Sequence, residues 1–523
     1  MKLFLALILN LTVMDSAFAL NCRSIHEPAE SIVKKPTQEA RVKSIINPAE
    51  SLAAKILLIR NAQRTIDLSY YAIQNDKSAH LVLSELLVAA RRGIKIRIAY
   101  DEVGSGALAP FKPHFLHLIN SAPPGKVEIK VINPVIYPMR IFQHWVRVVL
   151  GKTPAWTNAL AFNNRSHDKI IMADAGTSDM VSIVGGRNIG DQYYGLNPQN
   201  KINYLDFETI VRSYNPDRLS QAEVDLKQHF ENLYAFRFTR FIELGFLSKN
   251  LPYSVSKQQD KYEAGERVLE ETPVGDVLRR IEKENYFKNG FHDAQTKFVH
   301  DLQNLTENGR AFSWKWWTLP KTVNEKSMVR SFRENMLKTK TNFEIVSPYI
   351  FFTKKDVAFV TKWLYANPQA SLHIYTNSIM TSDSPIPTAV FNYIVAPRLL
   401  ALKQDPRIGD RIHIRVFLGA KQGDLTMNSI HMKGITSGDE VSGVGTSNFD
   451  IRSANQNSEM GLWIKSEQYQ KDVRSQIDLI KDHSIEWQTQ YDVLTDRPGF
   501  ATKVWTEAVI QYLDRILRLH LLS

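Results

Sequence analysis

Two short segments of the chain, Ser166-His167-Asp168-Lys169 and Ile430-His431-Met432-Lys433, hold the only His-x-Lys tripeptides among its fourteen histidines. Each is followed by a Gly-x-x-Asn, Gly185-Gly186-Arg187-Asn188 after the first and Gly445-Thr446-Ser447-Asn448 after the second. Histidine can attack phosphorus and form a phosphohistidine. A second histidine can protonate the leaving oxygen, then take a proton from an incoming alcohol or water. Lys169, Lys433, Asn188 and Asn448 can surround the non-bridging oxygens of a phosphodiester, where negative charge must be held through the transition state. Such a site calls for no metal and no cofactor, because the lysines bring the positive charge.

Positioning these residues falls to repeated strands and helices. Ile170-Ile171-Met172 and Val441 to Val444 are apolar, as buried strands are. Residues i and i+2 of a strand face the same way, so His167 would project with Lys169, and His431 with Lys433. Upstream, the pattern reads as a helix from Pro48 to about Gln63, a strand Thr65–Tyr71, a helix Ala79–Arg92 closed by Gly93, and a strand Ile94–Tyr100. The order returns with a helix Met328–Lys338, a strand Phe343–Val346, a helix Lys354–Ala366 and a strand Ser371–Tyr375. Strands alternating with helices predict an α/β fold of two similar lobes, 45–245 and 325–495, each a mixed, mostly parallel sheet flanked by helices, with the active site between them.

Residues 246–324 read as a charged, irregular insert, with Ser254 to Glu271 its most linker-like part. Phe312-Ser313-Trp314-Lys315-Trp316-Trp317 suits a strand with alternating faces, or a membrane-dipping cluster. In the tail, 496–523, Val509, Tyr512, Leu513, Ile516, Leu517 and Leu521 line one helical face beside Arg515 and Arg518. That face fits a lipid surface or the protein body equally well.

At 523 residues and 44% hydrophobic, the chain can bury a large core in more than one domain. Its net charge of +11 favours an anionic partner, and acidic lipid and nucleic acid fit equally. Lys2, the apolar run Leu3 to Val13 and Ala17-Phe18-Ala19 have the form of an export signal over 1–19, followed by an N-terminal segment 20–44. Export to a periplasm or beyond follows. The single Cys22 leaves no internal disulfide and no cysteine-based metal site.

The paired segments resemble the HKD motifs of the phospholipase D superfamily, H-x-K-x4-D followed by G-S/G-x-N. Val184 to Asp191 with Tyr193-Tyr194-Gly195, and Gly445 to Ser453, are similar to the motif tails of bacterial cardiolipin synthases of the C type. The similarity runs from about Pro48 to the C-terminal helix. It implies catalytic His167, Lys169, His431 and Lys433, phosphate-binding Asn188 and Asn448, and Asp174 bracing the first motif. It also implies that Asp206 and Glu459 each orient the imidazole of the opposite lobe. Two departures stand out. Lys169 and Asn188 are 19 positions apart against 15 for Lys433 and Asn448, the extra residues falling in Ala173 to Asp179; and Gly438 stands where the family has aspartate, with Asp439 one place on. The resemblance implies a peripherally membrane-associated phosphatidyltransferase making cardiolipin-like lipid from phosphatidylglycerol. The alternatives are a phospholipase D releasing phosphatidic acid, a nuclease, or an inactive lipid-binding protein. A nuclease is disfavoured because no segment interleaves aromatics with a basic stripe.

Overall fold

The computed structural model describes residues 40–105, 113–132, 165–198, 201–215, 217–235, 239–241, 255–302, 327–422, 425–450, 453 and 457–517. The export-signal segment 1–19, residues 20–39 with Cys22, and the tryptophan cluster 312–317 lie outside them.

Strand β1 (Ala40–Ile45) leads into the helix Pro48–Asn61. Asn47 starts that helix by accepting hydrogen bonds from the Ala49 and Glu50 N–H groups, two of the donors a helix start leaves unpaired. β2 (Thr65–Tyr70), the helix Lys77–Arg91, β3 (Lys95–Asp101), the helix Pro113–Ser121 and β4 (Val127–Ile132) follow. Next come β5 (Lys169–Ala173), β6 (Val181–Gly185), the short β7 (Tyr204–Leu205), β8 (Glu208–Ser213), the helix Gln221–Tyr234 and β9 (Thr239–Phe241). The second half opens with β10 (His292–His300), the helix Ser327–Lys338, β11 (Phe343–Val346), the helix Lys354–Ala366, β12 (Leu372–Asn377) and β13 (Ile412–Phe417). A small hairpin, β14 (Ala420–Gln422) with β15 (Leu425–Met427), precedes the short β16 (Ser429–Ile430). β17 (Gly434–Ser437), β18 (Val441–Gly445), β19 (Met460–Lys465), the helix Glu467–Asp482 and β20 (Ser484–Glu486) complete it.

Sixteen of these strands form one sheet, ordered β20-β13-β12-β11-β17-β18-β19-β10-β1-β8-β6-β5-β2-β3-β4-β9. Outward from the central antiparallel pair β1–β10, the two halves match strand for strand: β1, β8, β6, β5, β2, β3, β4, β9 against β10, β19, β18, β17, β11, β12, β13, β20. The repeat seen in the sequence is therefore an internal two-fold. The sheet is mixed, but it is not mostly parallel as the strand–helix alternation predicts. Only β2–β3–β4 and β11–β12–β13 pair in parallel; the remaining neighbours are antiparallel. The physical reason is local. Among strands that are neighbours in the sheet, helical crossovers join only those three in each half, whereas β5–β6 and β17–β18 are hairpins, which must be antiparallel.

The segment 246–324 is also more ordered than its charge suggests. The helices Val255–Glu266 and Pro273–Lys283 bury Tyr262, Val274, Leu278 and Ile281 in the core of the first half. β10 is the innermost strand of the second half, which thus begins well before residue 325. A second core cluster takes residues from both halves, among them Val42, Leu205, Phe207, Ile430, Met432, Leu462 and Tyr469. The halves are thus packed together directly beneath the two motifs. The tail helix Phe500–Leu517 buries Glu507 on the body while Trp505 (69%) and Tyr512 (66%) stay exposed.

Candidate active site

Each motif histidine lies just ahead of the hairpin that follows it, and its backbone is held by the opposite half. The His167 N–H donates to the Ser458 carbonyl at 2.9 Å, and the Ser458 N–H donates to the Arg165 carbonyl at 2.8 Å. The His431 N–H donates to the Leu205 carbonyl at 2.8 Å, where β16 pairs in parallel with β7. Each histidine thereby arrives one residue from an acid of the other half, Glu459 or Asp206. His167 Nδ1 lies 2.8 Å from Glu459 Oε2, and His431 Nδ1 lies 2.6 Å from Asp206 Oδ2. An ionised carboxylate only accepts, so each Nδ1 carries a hydrogen and each Nε2 keeps its lone pair for phosphorus or a proton.

The supports behind the two acids differ. Glu459 accepts from Thr446 Oγ1 at 2.7 Å and from Asn457 Nδ2 at 3.1 Å. Asp206 is one methylene shorter, and the position matching Thr446 is Gly186. A Cβ there would stand 2.9 Å from the Asp206 carboxyl carbon and nearer still to Oδ1. Arg187, fully buried, fixes the Asp206 carbonyl at 2.6 Å and the Ile46 carbonyl at 2.7 Å. Behind it Lys55 and Glu208 form a buried ion pair at 2.6 Å. The residue before each histidine is pinned from the end of a parallel strand. Asp101 Oδ2 accepts from the Ser166 N–H at 3.1 Å, and Asn377 Oδ1 accepts from the Ile430 N–H at 2.8 Å. Sequence reasoning missed Thr446, Asn457, Arg187, Asp101 and Asn377. Laying Gly185–Asn188 against Gly445–Asn448 would have singled out Thr446. Asp101 and Asn377 carry no local signal, since their pairing depends on the sheet.

Lys169 and Lys433 curl back over their own histidines. Lys169 Nζ donates to the His167 carbonyl at 2.9 Å, and Lys433 Nζ donates to the His431 carbonyl. Burial, then the charge of Lys433, pulls the Lys169 ammonium down to about 7. Burial lowers Lys433 to about 8, against the Asp206 and Asp383 carboxylates, which raise it. Both imidazoles are held down to about 4, His167 by burial and the nearby lysines against the pull of Glu459, His431 by burial and Lys433 against Asp206. Burial alone would raise Asp206, but His431 and Lys433 outweigh it and hold the carboxyl at about 2; Glu459 is likewise lowered, by His167 and Lys169. Two neutral imidazoles, two ionised carboxylates and two lysines with weakened protons thus share one site.

The two asparagines are not equivalent. Asn188 Oδ1 accepts from the Ala72 N–H at 3.1 Å and its amide donates to the Tyr193 hydroxyl at 2.8 Å, whereas Asn448 Oδ1 has no partner among the described residues. Asp174 lies at the far end of the first hairpin with φ 51°, where it accepts from the N–H groups of Gln63, Arg64 and Thr65. Gly438 takes the same left-handed conformation, φ 58°, in the second hairpin. Asp439 is exposed there and pairs with Arg474 at 3.4 Å, so it does not take Asp174's place. The four extra residues of the first motif lengthen the β5–β6 turn, away from the histidines. The departure at position 438 therefore lies outside the reacting groups.

Residues 333–480 match the family described as cardiolipin synthase, PLD-like domain. That stretch, which holds the second His-x-Lys motif, is similar to the phospholipase D-like domain of that family. The chain is 25% identical over 501 residues to cardiolipin synthase C of Escherichia coli (strain K12), covering 88% of this chain and 92% of that one. It is equally 25% identical over 468 residues to an uncharacterised protein of Helicobacter pylori (strain J99), covering 87% and 81%. Among solved structures, the phosphatidylserine synthase of Haemophilus influenzae Rd KW20 superposes with a TM-score of 0.58 at 14% identity, over 91% of this chain and 93% of that one. The fold is shared.

Proposed function

We propose that the protein is a phosphatidyltransferase that cuts a phospholipid phosphodiester through a covalent phosphohistidine and passes the phosphatidyl group to a lipid alcohol, as a cardiolipin synthase does. The observation that carries this reading is the crossed pair of histidine–carboxylate contacts, each half orienting the other half's imidazole. Similarity to cardiolipin synthase C along nearly the whole of both chains supports the lipid substrate.

In the first step His167 Nε2 attacks phosphorus, an N–P bond forms, and the O–P bond to the leaving alcohol breaks. His431, neutral in the empty site and protonated once the anionic phosphodiester is bound beside it, gives that proton to the leaving oxygen. In the second step the acceptor oxygen attacks phosphorus, its proton passes to His431, and the N–P bond breaks. The carboxylates Glu459 and Asp206 stabilise whichever imidazole becomes positive. Lys169, Lys433 and the amide of Asn448 hold the non-bridging oxygens, and bound phosphate restores full charge to lysines whose protons are weakened in the empty site. Asn188, already bonded to Tyr193 and Ala72, acts mainly by holding the Tyr71–Ile73 turn in place.

Phosphatidylglycerol is the proposed donor, and the enzyme works at a membrane surface on the outer side of the cell's inner membrane or beyond. The export-signal pattern, the charge of +11, and Trp505 and Tyr512 on the exposed face of the tail helix support that placement. Incubating purified protein with labelled phosphatidylglycerol tests the reaction class. A labelled product carrying two phosphatidyl groups is expected, and phosphatidic acid as the sole lipid product would identify a hydrolase instead.

A further inference from the structure

Donor and acceptor look alike at the reacting atoms, so discrimination between them must come from places where the internal two-fold is broken. One break lies beside His431. The rings of Tyr193 and Tyr204 lie 5.0 and 4.9 Å from its imidazole. The Tyr204 hydroxyl donates to Asp383 Oδ2 at 2.6 Å, and the Tyr349 hydroxyl donates to Asp383 Oδ1. Asp383 is itself exposed, and its charge reaches Lys433, whose pKa it raises. Among the described residues, the positions beside His167 that match Tyr349 and Tyr204 carry no tyrosine. Ala72 stands where Tyr349 is, and the position matching Tyr204 is Asn457, which turns to Glu459 instead.

We propose that Asp383, held by Tyr204 and Tyr349, selects the acceptor by accepting a hydrogen bond from the hydroxyl next to the one that reacts. The inference rests on the phosphatidyltransferase reading and adds the residues that choose the acceptor of its second step. A carboxylate offers about four lone-pair directions, and the two phenols occupy one on each oxygen, leaving room for a hydroxyl donor from solvent. The carboxylate repels phosphate, so the acceptor's own phosphate lies away from Asp383 and its free hydroxyls face it. A cationic headgroup is repelled by Lys169 and Lys433 a short distance inward. A neutral hydroxyl meets neither objection. Burial first, then Tyr193 and the carboxylate itself, push the Tyr204 phenol up, so it remains a donor and keeps Asp383 in place. In the step itself one hydroxyl donates to Asp383 and is not consumed. Its neighbour transfers its proton to His431 Nε2, its oxygen bonds to phosphorus, and the P–N bond to His167 breaks with the electron pair returning to nitrogen.

Sites built to bond a hydroxyl reject analogues lacking it far more strongly than apolar pockets reject a missing methylene. The test uses the full chain, an unlabelled short-chain phosphatidylglycerol donor, and perdeuterated glycerol, 1-propanol and ethanolamine as competing acceptors, with the mass-shifted products separated by mass spectrometry. The parent should prefer glycerol to 1-propanol by about ten-fold or more, the effect of one hydrogen bond to a charged group. Asp383→Asn should bring that preference below about two-fold, and Tyr349→Phe should reduce it in part. Tyr349→Phe removes a single oxygen and gives the same readout should Asp383→Asn fail to fold. A preference unchanged in these variants overturns the proposal, as does an equal loss with every acceptor, or ethanolamine proving to be the acceptor that depends on Asp383. A parent that forms no transfer product with any alcohol defeats the phosphatidyltransferase reading itself; a parent that transfers without needing Asp383 defeats only this subsite.

Discussion

Adding one carbon at Gly186 should disable a histidine in the other half of the molecule. Its Cβ would stand 2.9 Å from the Asp206 carboxyl carbon, where ordinary contact begins at 3.4 Å, so that carbon must retreat by about half an ångström and Oδ1 by more. The 2.6 Å bond from His431 Nδ1 then stretches or breaks. A hydrogen bond to a charged group is worth about 1.5–3 kcal/mol, so Gly186→Ala should lower kcat/KM by roughly ten- to a hundred-fold. The matching position in the second half obeys the opposite rule. Thr446 supplies a donor to the ionised Glu459 at 2.7 Å, and there it is the loss of the side chain that harms: Thr446→Val removes a hydrogen bond to a charged group and should cost about ten-fold. Steady-state rates on a chromogenic phosphodiester give the magnitudes. A proton NMR spectrum reports whether the low-field Nδ1–H signal of His431 moves. Gly186→Ala within two-fold of the parent refutes the coupling, as does a large rate loss with the His431 signal unchanged.

Further outcomes follow from the same geometry. Lys169 and Lys433 lose their protons in the free enzyme at about 7 and about 8, so kcat/KM should fall above neutral pH with a slope steepening from one toward two, while kcat falls at higher pH because bound phosphate raises both lysines. Since the unfolded chain holds those protons to higher pH, the two lysines should make the apo protein more stable between about pH 7 and 10 than below it, a trend that thermal melts across pH would read. Lys55→Met leaves the buried Glu208 with only Arg187 at 3.7 Å and the Ser51 hydroxyl, and should cost about 3 kcal/mol in urea unfolding. Gly438→Asp should leave activity within about two-fold, because the left-handed φ there suits aspartate and the hairpin end is remote from the histidines; a ten-fold change in rate would show that this turn controls the site.

Where one element carries its own signal, the sequence was readable almost to the residue. The strand Phe343–Val346 and the helix Lys354–Ala366 coincide with their periodicity because each buries one face against a continuous core. His167 and His431 could be picked out because two copies invite comparison, and Asp206 and Glu459 through the resemblance to the phospholipase D superfamily. What stayed hidden depended on partners distant along the chain. β10 alternates charged and half-buried residues without a clear apolar face, since it lies in the centre of the sheet between edges of two halves. The direction of β5 and β17 is set by their hairpins, not by the helices that precede them. Asp101 and Asn377 look like ordinary strand ends until the sheet brings them to Ser166 and Ile430. The tight fit of Gly186 against Asp206 is a relation between two residues that neither one announces.

The proposed reaction turns on a covalent bond between phosphorus and an imidazole held by the opposite half of the chain. Intact mass spectrometry of the His431→Ala variant, mixed with short-chain phosphatidylglycerol and quenched in base to protect an N–P bond, tests it directly. A phosphatidyl adduct that maps to His167 and is absent from His167→Ala is expected. Turnover by His167→Ala at the parent rate, with no adduct on either histidine, would contradict it.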